Sequence, residues 1–420
     1  MENYKFKIFN NENNKGVLAP KGFFGNGVKN GKYGVSIIYS KTPCIVAGTF
    51  TTNKVLAHPV IYCKNLLKEN KDNIMAIVAN SGNANCITKN GYEDNLKMIK
   101  ETAKLLNIPE NTILPCSTGV IGREMPMDII TNKIDEVGKL IKNNNYNNDN
   151  IAKAIMTTDS FPKTISVQLK LNNKIVNIGA VAKGAGMIAP NMLHATMFCF
   201  ITTDININYN NLNNLLQNAV NESFNNSIVD GDTSTNDTVL ILANGQSEVI
   251  YENLSKEEKQ LFSEALTFVS VEMAKLIVKD GEGATKLMEV KVIGAKSKED
   301  AVKVSKSVAR SLLVKTALFG KDPNWGRIIA SVGYSGIDFN INNVDIYIGN
   351  IEFNNSVCLM EKGVPIAGEN SENLKIAENI MKKYDEIKIL INLNNGNYKN
   401  SAYGCDLGYE YVRINSEYTT

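Results

Sequence analysis

Hydrophobic residues in the N-terminal part of the chain alternate with small and polar residues, and glycines separate the apolar runs. A period of two is typical of strands that bury one face. The pattern predicts strands at residues 34–39, 44–50 and 74–79. This part of the chain is therefore expected to be rich in strands.

Helical spacing follows in the next part of the chain. Apolar residues recur every three or four positions over residues 93–106, with Leu96 and Ile99 on one face, and again over residues 128–141. This period predicts two helices, of which Pro109 ends the first. The asparagine-rich tract at 143–150 predicts a solvated turn or linker.

The remainder of the chain mixes both periods. Residues 164–171 and 174–182 predict a hairpin that leads into a glycine-rich loop, and a further strand is predicted to begin after Thr196. Helices are then predicted at 212–224, 257–278, 298–314 and 372–383, and strands at 239–243, 288–293, 344–348 and 387–393. Such a mixture predicts an α/β fold in layers, with helices covering the sheets.

Composition and charge narrow the class of protein. The 420 residues are 43% hydrophobic, enough for a large core in two lobes, and the net charge of only +2 disfavours nucleic acid and anionic membranes as partners. We expect no signal peptide and no membrane span. Seven scattered cysteines without a Cys-x-x-Cys pair indicate a reduced cytoplasmic protein without a zinc site. Small molecules, or further copies of the chain, are the expected partners.

Candidate chemistry centres on Thr196, which a glycine-rich loop delivers to the start of an apolar strand. The chain has only two histidines, so a nucleophile here needs another base. A threonine can use its own α-amino group, whose pKa is about 7.7–8.0, once the Ala195–Thr196 bond is broken. The same hydroxyl could make that cut by attacking the Ala195 carbonyl. From the residues alone, a structural β-branched residue at a strand start remains the alternative.

An acyl transfer also needs donors for the developing oxyanion. Residues 115–122 offer a proline-set turn with the Thr118 hydroxyl, followed by Gly119, whose backbone N–H can approach a ligand closely. The residues alone leave open whether this segment meets Thr196.

The central segment has the pattern Lys-Gly-x-Gly-Met-Ile-x-Pro-Asn-Met, then Ala-Thr-Met, then an apolar strand that ends in Thr-Asp. It resembles the cleavage segment of the ornithine acetyltransferase family of arginine biosynthesis, also called bifunctional glutamate N-acetyltransferases. Seven further segments resemble family motifs in family order: 48–53, 80–85, 117–122, 156–159, 230–237, 280–286 and 322–327. The chain departs from the family pattern by interposing Leu193 and His194 before Ala195.

The resemblance implies an αββα-like enzyme with an N-terminal threonine nucleophile. Autocleavage between Ala195 and Thr196 would leave an alpha chain of residues 1–195 and a beta chain of residues 196–420 in one folded unit. Thr118 and Gly119 would form the oxyanion hole. The resemblance places substrate contacts at Thr157, Lys183, Thr196, Glu282, Asn415 and Thr420.

The same resemblance implies a reaction. In a ping-pong cycle, Thr196 would take the acetyl group from N2-acetylornithine, release ornithine, and pass the acetyl group to glutamate. No metal or tightly bound cofactor is implied, acetyl-CoA stays open as a second donor, and two alpha and two beta chains would form a heterotetramer.

Two other functions remain as alternatives. An N-terminal-nucleophile aminopeptidase or amidohydrolase would share the cut and the oxyanion hole but pass the acyl group to water. A metabolite-binding protein without catalysis would require that Leu193 and His194 abolish the cut. Asp230, Asp232 and Asp237 lack the glutamate spacing of a calcium loop, so we interpret them as a hydrogen-bonded loop. Trp325 is interpreted as packed structure beside Arg327.

Overall fold

The computed structural model describes residues 5–9, 15–189 and 197–417. Its strands are β1 (Lys7–Ile8), β2 (Phe23–Asn30), β3 (Tyr33–Phe50), β4 (Ile74–Asn83), β5 (Ile113–Val120), β6 (Lys163–Leu171), β7 (Lys174–Lys183), β8 (Phe198–Thr203), β9 (Ser227–Ile228), β10 (Thr238–Ala243), β11 (Leu287–Ala295), β12 (Asp345–Asn350), β13 (Ser356–Glu361), β14 (Val364–Pro365), β15 (Glu386–Asn392) and β16 (Tyr398–Cys405).

The α-helices of the described residues lie between these strands or follow them. They are α1 (His58–Glu69), α2 (Gly91–Leu106), α3 (Met127–Lys142), α4 (Asn148–Ile155), α5 (Tyr209–Glu222), α6 (Lys256–Lys279), α7 (Lys298–Arg310), α8 (Leu312–Gly320), α9 (Trp325–Gly333), α10 (Glu372–Lys383) and α11 (Tyr409–Glu417).

Nine strands form the larger sheet, in the order β1-β6-β7-β8-β10-β3-β4-β5, with β2 paired to β3. The centre of this sheet joins distant parts of the chain, because β8 pairs with β7 on one side and with β10 on the other, and β10 pairs with β3. Its strands are apolar on both faces, as expected of a sheet covered by helices. One hydrophobic cluster packs this sheet against α5 and α6.

The smaller sheet has seven strands in the order β14-β13-β12-β15-β11-β16-β9. Its core includes apolar residues of α7, α8, α9 and α10. Helix α6 contacts β6 and β7 of the larger sheet and β16 of the smaller one, so it lies between the two. The layered α/β class predicted from the sequence is therefore confirmed.

Most predicted elements are present with shifted ends, and four details of the prediction are wrong. The proline-set turn predicted at residues 115–122 is mostly strand β5, in which Pro115 pairs with Val78 of β4. Residues 143–150 are not entirely a linker, because α4 begins at Asn148 with the Asn147 side chain as its N-cap. The helix predicted at 298–314 is broken at Ser311, whose side chain caps α8. Leu96 is 38% exposed, because the buried face of α2 lies around Met98 and Ile99 instead.

No helix of the residues that the structure describes is long and apolar enough to cross a bilayer.

Candidate active site

One cavity of about 210 Å³ lies where the ends of β5 and β7 meet the loop after α6 and the helix α11. Side chains from widely separated parts of the sequence line it. Six of the predicted site residues are among them: Thr118, Gly119, Thr157, Lys183, Glu282 and Asn415. Ala195, Thr196 and Thr420, the other predicted site residues, lie outside the described residues.

Gly119 stands at a position that only glycine can occupy. Its φ is +136°, and a Cβ built on it would lie 2.3 Å from the carbonyl carbon of Gly82. This close approach follows from the parallel pairing of β4 with β5, in which Gly82 lies opposite Gly119. The backbone here is therefore open to a ligand on one side and packed against β4 on the other.

Lys183, at the end of β7, brings a buried cation to the cavity. It is 4% exposed, and its Nζ donates to Thr157 Oγ1 at 2.8 Å and to Thr118 Oγ1 at 3.3 Å. Burial lowers the pKa of Lys183, while the nearby Asp159 carboxylate acts to raise it. Two hydroxyls and one ammonium thus converge on the same point of the wall.

Asp159 holds the segment that carries Thr157. Its carboxylate accepts hydrogen bonds from the backbone N–H of Thr157 at 2.9 Å and of Gly184 at 2.7 Å, and it pairs with Lys163 Nζ at 2.7 Å. Burial acts to raise the pKa of Asp159, but Lys183 and Lys163 outweigh it and hold the pKa well below the usual range. Asp159 is therefore ionised at neutral pH.

Glu282 supplies a carboxylate to the wall of the same cavity. Its backbone N–H donates to Ala185 O at 2.9 Å, and its Oε2 accepts from Asn415 Nδ2 at 2.8 Å. A Cβ on Gly186 would lie 2.4 Å from the Glu282 carboxylate carbon, so the glycine leaves room for this side chain. The contact with Asn415 explains why residues near the C-terminus belong to the site.

The loop that carries Glu282 is anchored at its far end by Asp406. That carboxylate accepts from the backbone N–H of Thr285 at 2.7 Å and of Lys286 at 2.9 Å. The loop between α6 and β11 is therefore held by hydrogen bonds to a buried side chain, which fixes the position of Glu282.

Asp230 and Tyr411 also line the cavity and were not predicted as site residues. Asp230 accepts from the backbone N–H of Met187 at 2.5 Å and of Ile188 at 2.9 Å, in agreement with the interpretation of a hydrogen-bonded loop. Burial raises the pKa of Asp230. Burial and the neighbouring carboxylates, Asp230 first among them, also raise the pKa of Tyr411 far above that of a free phenol.

The described segments on either side of residues 190–196 both end near this cavity. Ile188 forms a bridge with Thr233, and Thr233 Oγ1 donates to Ala189 O at 3.2 Å. On the other side, Thr238 N donates to Met197 O at 3.0 Å, and the next residue, Phe198, pairs with Lys183.

Charges of opposite sign line the same cavity. Lys183 and two threonine hydroxyls suit a carboxylate, and Glu282 with Asp230 suits an ammonium group. Within residues 5–9, 15–189 and 197–417, no group of three histidine, cysteine or acidic side chains is arranged to hold a metal ion. Layered sheets around a small cavity of this polarity define an α/β enzyme that acts on small charged molecules.

The sequence profile of the ArgJ family matches residues 22–420, and this chain belongs to the ArgJ family. The glutamate N-acetyltransferase of Methanocaldococcus jannaschii is 59% identical over 405 residues, which cover 96% of this chain and 98% of that protein. The arginine biosynthesis bifunctional protein ArgJ 1 of Clostridium acetobutylicum is 45% identical over 98% of both chains. Like these relatives, the chain is an N-acetyltransferase.

One solved structure is similar to part of this chain. The arginine biosynthesis bifunctional protein argJ of Bacillus halodurans is 43% identical, with a TM-score of 0.46, over 52% of this chain and 98% of that chain.

Proposed function

We propose that this enzyme transfers the acetyl group of N2-acetylornithine to glutamate, with Thr196 as the nucleophile. The observation that carries the proposal is the convergence of Thr118, Lys183 and Glu282 on one cavity. Close relatives named glutamate N-acetyltransferase support the acceptor. Lys183 suits the carboxylate of the donor, and Glu282 suits its side-chain ammonium.

Activation requires a cut before Thr196. The hydroxyl oxygen attacks the Ala195 carbonyl, the peptide bond to the Thr196 nitrogen breaks, and an ester forms in its place. Water then hydrolyses the ester, which leaves a carboxylate on Ala195 and returns the hydroxyl to Thr196. The new α-amino group titrates at about 7.7–8.0, so it can accept a proton near neutral pH.

Transfer then proceeds in two halves. The Thr196 hydroxyl attacks the acetyl carbonyl while its α-amine takes the proton, and the C–N bond breaks as that proton passes to the leaving amine of ornithine. Glutamate next attacks the acetyl ester with its own amine, which yields N-acetylglutamate and restores the hydroxyl. Thr118 and the N–H of Gly119 would stabilise the oxyanion in both halves, a role worth about 2.7–4 kcal/mol per donor in enzymes of known mechanism.

The cysteines support a location of the enzyme in the cytoplasm. All seven cysteines are free thiols, which suits the reducing cytoplasm. We propose a heterotetramer of two alpha chains (residues 1–195) and two beta chains (residues 196–420), without a tightly bound cofactor. Replacing N2-acetylornithine with acetyl-CoA in an assay of glutamate acetylation tests whether acetyl-CoA is a second donor.

The test compares the wild-type protein with Thr196→Ala. Mass spectrometry of the wild type should find two fragments, the second beginning at Thr196, whereas the variant should remain one inactive chain. Thr196→Ser is the matched control, since it keeps a hydroxyl and should retain both the cut and part of the activity. An intact wild-type chain with full transferase activity would refute the mechanism, and acyl transfer to water alone would favour a hydrolase.

A further inference from the structure

Lys163, the first residue of β6, is a fully buried lysine next to the cavity. Its Nζ lies 2.7 Å from Asp159 Oδ1 and 2.5 Å from Asp280 Oδ2. Removing an ammonium group from water costs several kcal/mol unless carboxylates and hydrogen bonds compensate. Two carboxylates meet that need here, so the three side chains form one unit.

Each carboxylate of this unit also holds a different segment of the cavity wall. Asp159 accepts from the backbone N–H of Thr157 and of Gly184, the residue after Lys183. Asp280 follows the C-terminal end of α6, two residues before Glu282, and accepts from Ser160 N at 3.0 Å. The segments that carry Thr157, Lys183 and Glu282 are thereby joined to one buried cation.

We propose that Asp159, Lys163 and Asp280 form a positioning network that holds the Thr157 segment, the Lys183 ammonium and the Glu282 loop in one arrangement. These residues do not touch the reacting atoms and act through the residues that bind the substrate. The inference rests on the proposed function only in assigning Lys183 to the substrate carboxylate and Glu282 to the substrate ammonium group.

The network also acts on the charge of Lys183. The charged groups around that ammonium are Asp159, Asp237 and Glu282, which favour the charged form, and Lys163 and Lys29, which oppose it. Among them the Asp159 carboxylate has the largest influence, and it opposes the effect of burial. Without the charge of Asp159, Lys183 loses its proton at a lower pH.

The first test is Asp159→Asn, which keeps the size of the side chain and removes its charge. Loss of the Asp159 carboxylate lowers the pKa of Lys183, because that carboxylate opposes the effect of burial. KM for N2-acetylornithine should therefore rise several-fold more at about pH 8.5, where more of the amine is uncharged, than at about pH 6.5. A KM that changes equally at both pH values would overturn the electrostatic part of the network.

The matched control is Asp204→Asn. Asp204 is also buried, and among the described residues its carboxylate accepts from neutral groups, the backbone N–H of Lys21 and the two nitrogens of Asn177. Its variant loses a buried charge without touching the network. The pH profile of KM should match that of the wild type.

A second readout does not depend on acetyl transfer. Reductive methylation of Lys183 with formaldehyde and cyanoborohydride, which reduces the imine, followed by mass spectrometry over a pH series, reports the fraction of uncharged amine. Its midpoint should lie lower in Asp159→Asn than in the wild type, even if the assay detects no transfer to glutamate. An unchanged midpoint in a folded variant contradicts the proposal.

Asp280→Asn tests the positioning part by itself. Asp159 stays beside Lys183, so the methylation midpoint should stay close to that of the wild type, while KM should rise about equally at every pH because the Glu282 loop loses an anchor. If Asp159→Asn fails to fold, Asp280→Asn still tests the proposal, because a KM equal to that of the wild type would overturn the network.

Discussion

Gly186→Ala gives a sharp prediction about the position of the Glu282 carboxylate. The new Cβ would lie 2.4 Å from Glu282 Cδ and Oε2 and 2.5 Å from Oε1, whereas ordinary contacts begin near 3.4 Å. The carboxylate must therefore move by about 1 Å, a displacement that can cost a large factor in a binding site. Because it ends a flexible side chain, it can move without unfolding the loop.

The magnitude follows from the bond that is displaced. A hydrogen bond to a charged group contributes about 1.5–3 kcal/mol, and each 1.4 kcal/mol is tenfold in affinity. KM for N2-acetylornithine should rise by roughly 10- to 100-fold, since its ammonium group is the proposed partner of Glu282. KM for glutamate, which has no side-chain ammonium, should change by less than about threefold.

The assay is steady-state transfer with each substrate varied in turn, together with thermal unfolding. Gly320→Ala is the matched control, because a Cβ at Gly320 meets nothing within 4 Å. The control should keep both KM values. Equal KM increases for both substrates, or an unchanged KM for N2-acetylornithine in a folded Gly186→Ala protein, would refute the assignment of Glu282.

Two further predictions concern stability. The pKa of Asp159 is held well below that of the unfolded chain, so its contribution to stability is fully present above about pH 4 and is lost as the pH falls toward the folded value. Asp159→Asn should therefore lower Tm more at pH 7 than at pH 3. Equal losses of Tm at the two pH values would contradict this prediction. The second prediction concerns Asn236, whose Nδ2 donates to Ala84 O at 2.6 Å and to Ser117 O at 2.7 Å. Asn236→Ala should lower the free energy of unfolding, measured in urea, by about 2–4 kcal/mol. A decrease under about 0.5 kcal/mol would contradict this prediction.

Local chemistry explains which parts of the fold could be predicted. The hairpin of β6 and β7 was predicted correctly, and Asn172 and Asn173 at its turn both have positive φ, which asparagine tolerates. Helix α11 was missed, because its side chains are exposed and its sequence shows no apolar stripe. Helix α4 was missed because asparagines dominate its start: Asn147 is the N-cap, and Asn148 and Asn150 lie in the first turn.

Some residues of the candidate site could likewise be predicted from the sequence, and others could not. Lys183 and Glu282 stood in recognisable motifs, and the structure brings both to one cavity. Asp230 was interpreted only as loop structure, and Tyr411 carried no local signal. Their place beside Glu282 depends on contacts between distant segments, which a single sequence does not show. The same holds for Lys163, whose two carboxylate partners lie 4 and 117 positions away.

The order of strands in the larger sheet bears on how the two proposed chains could be produced. β8 and β10, which follow Thr196 in sequence, stand between β7 and β3, which precede it. Residues 1–195 alone would thus hold two separate sheet fragments, each with an open edge that invites aggregation. Fragments expressed apart should recover activity only when refolded together, as complementing halves of one sheet.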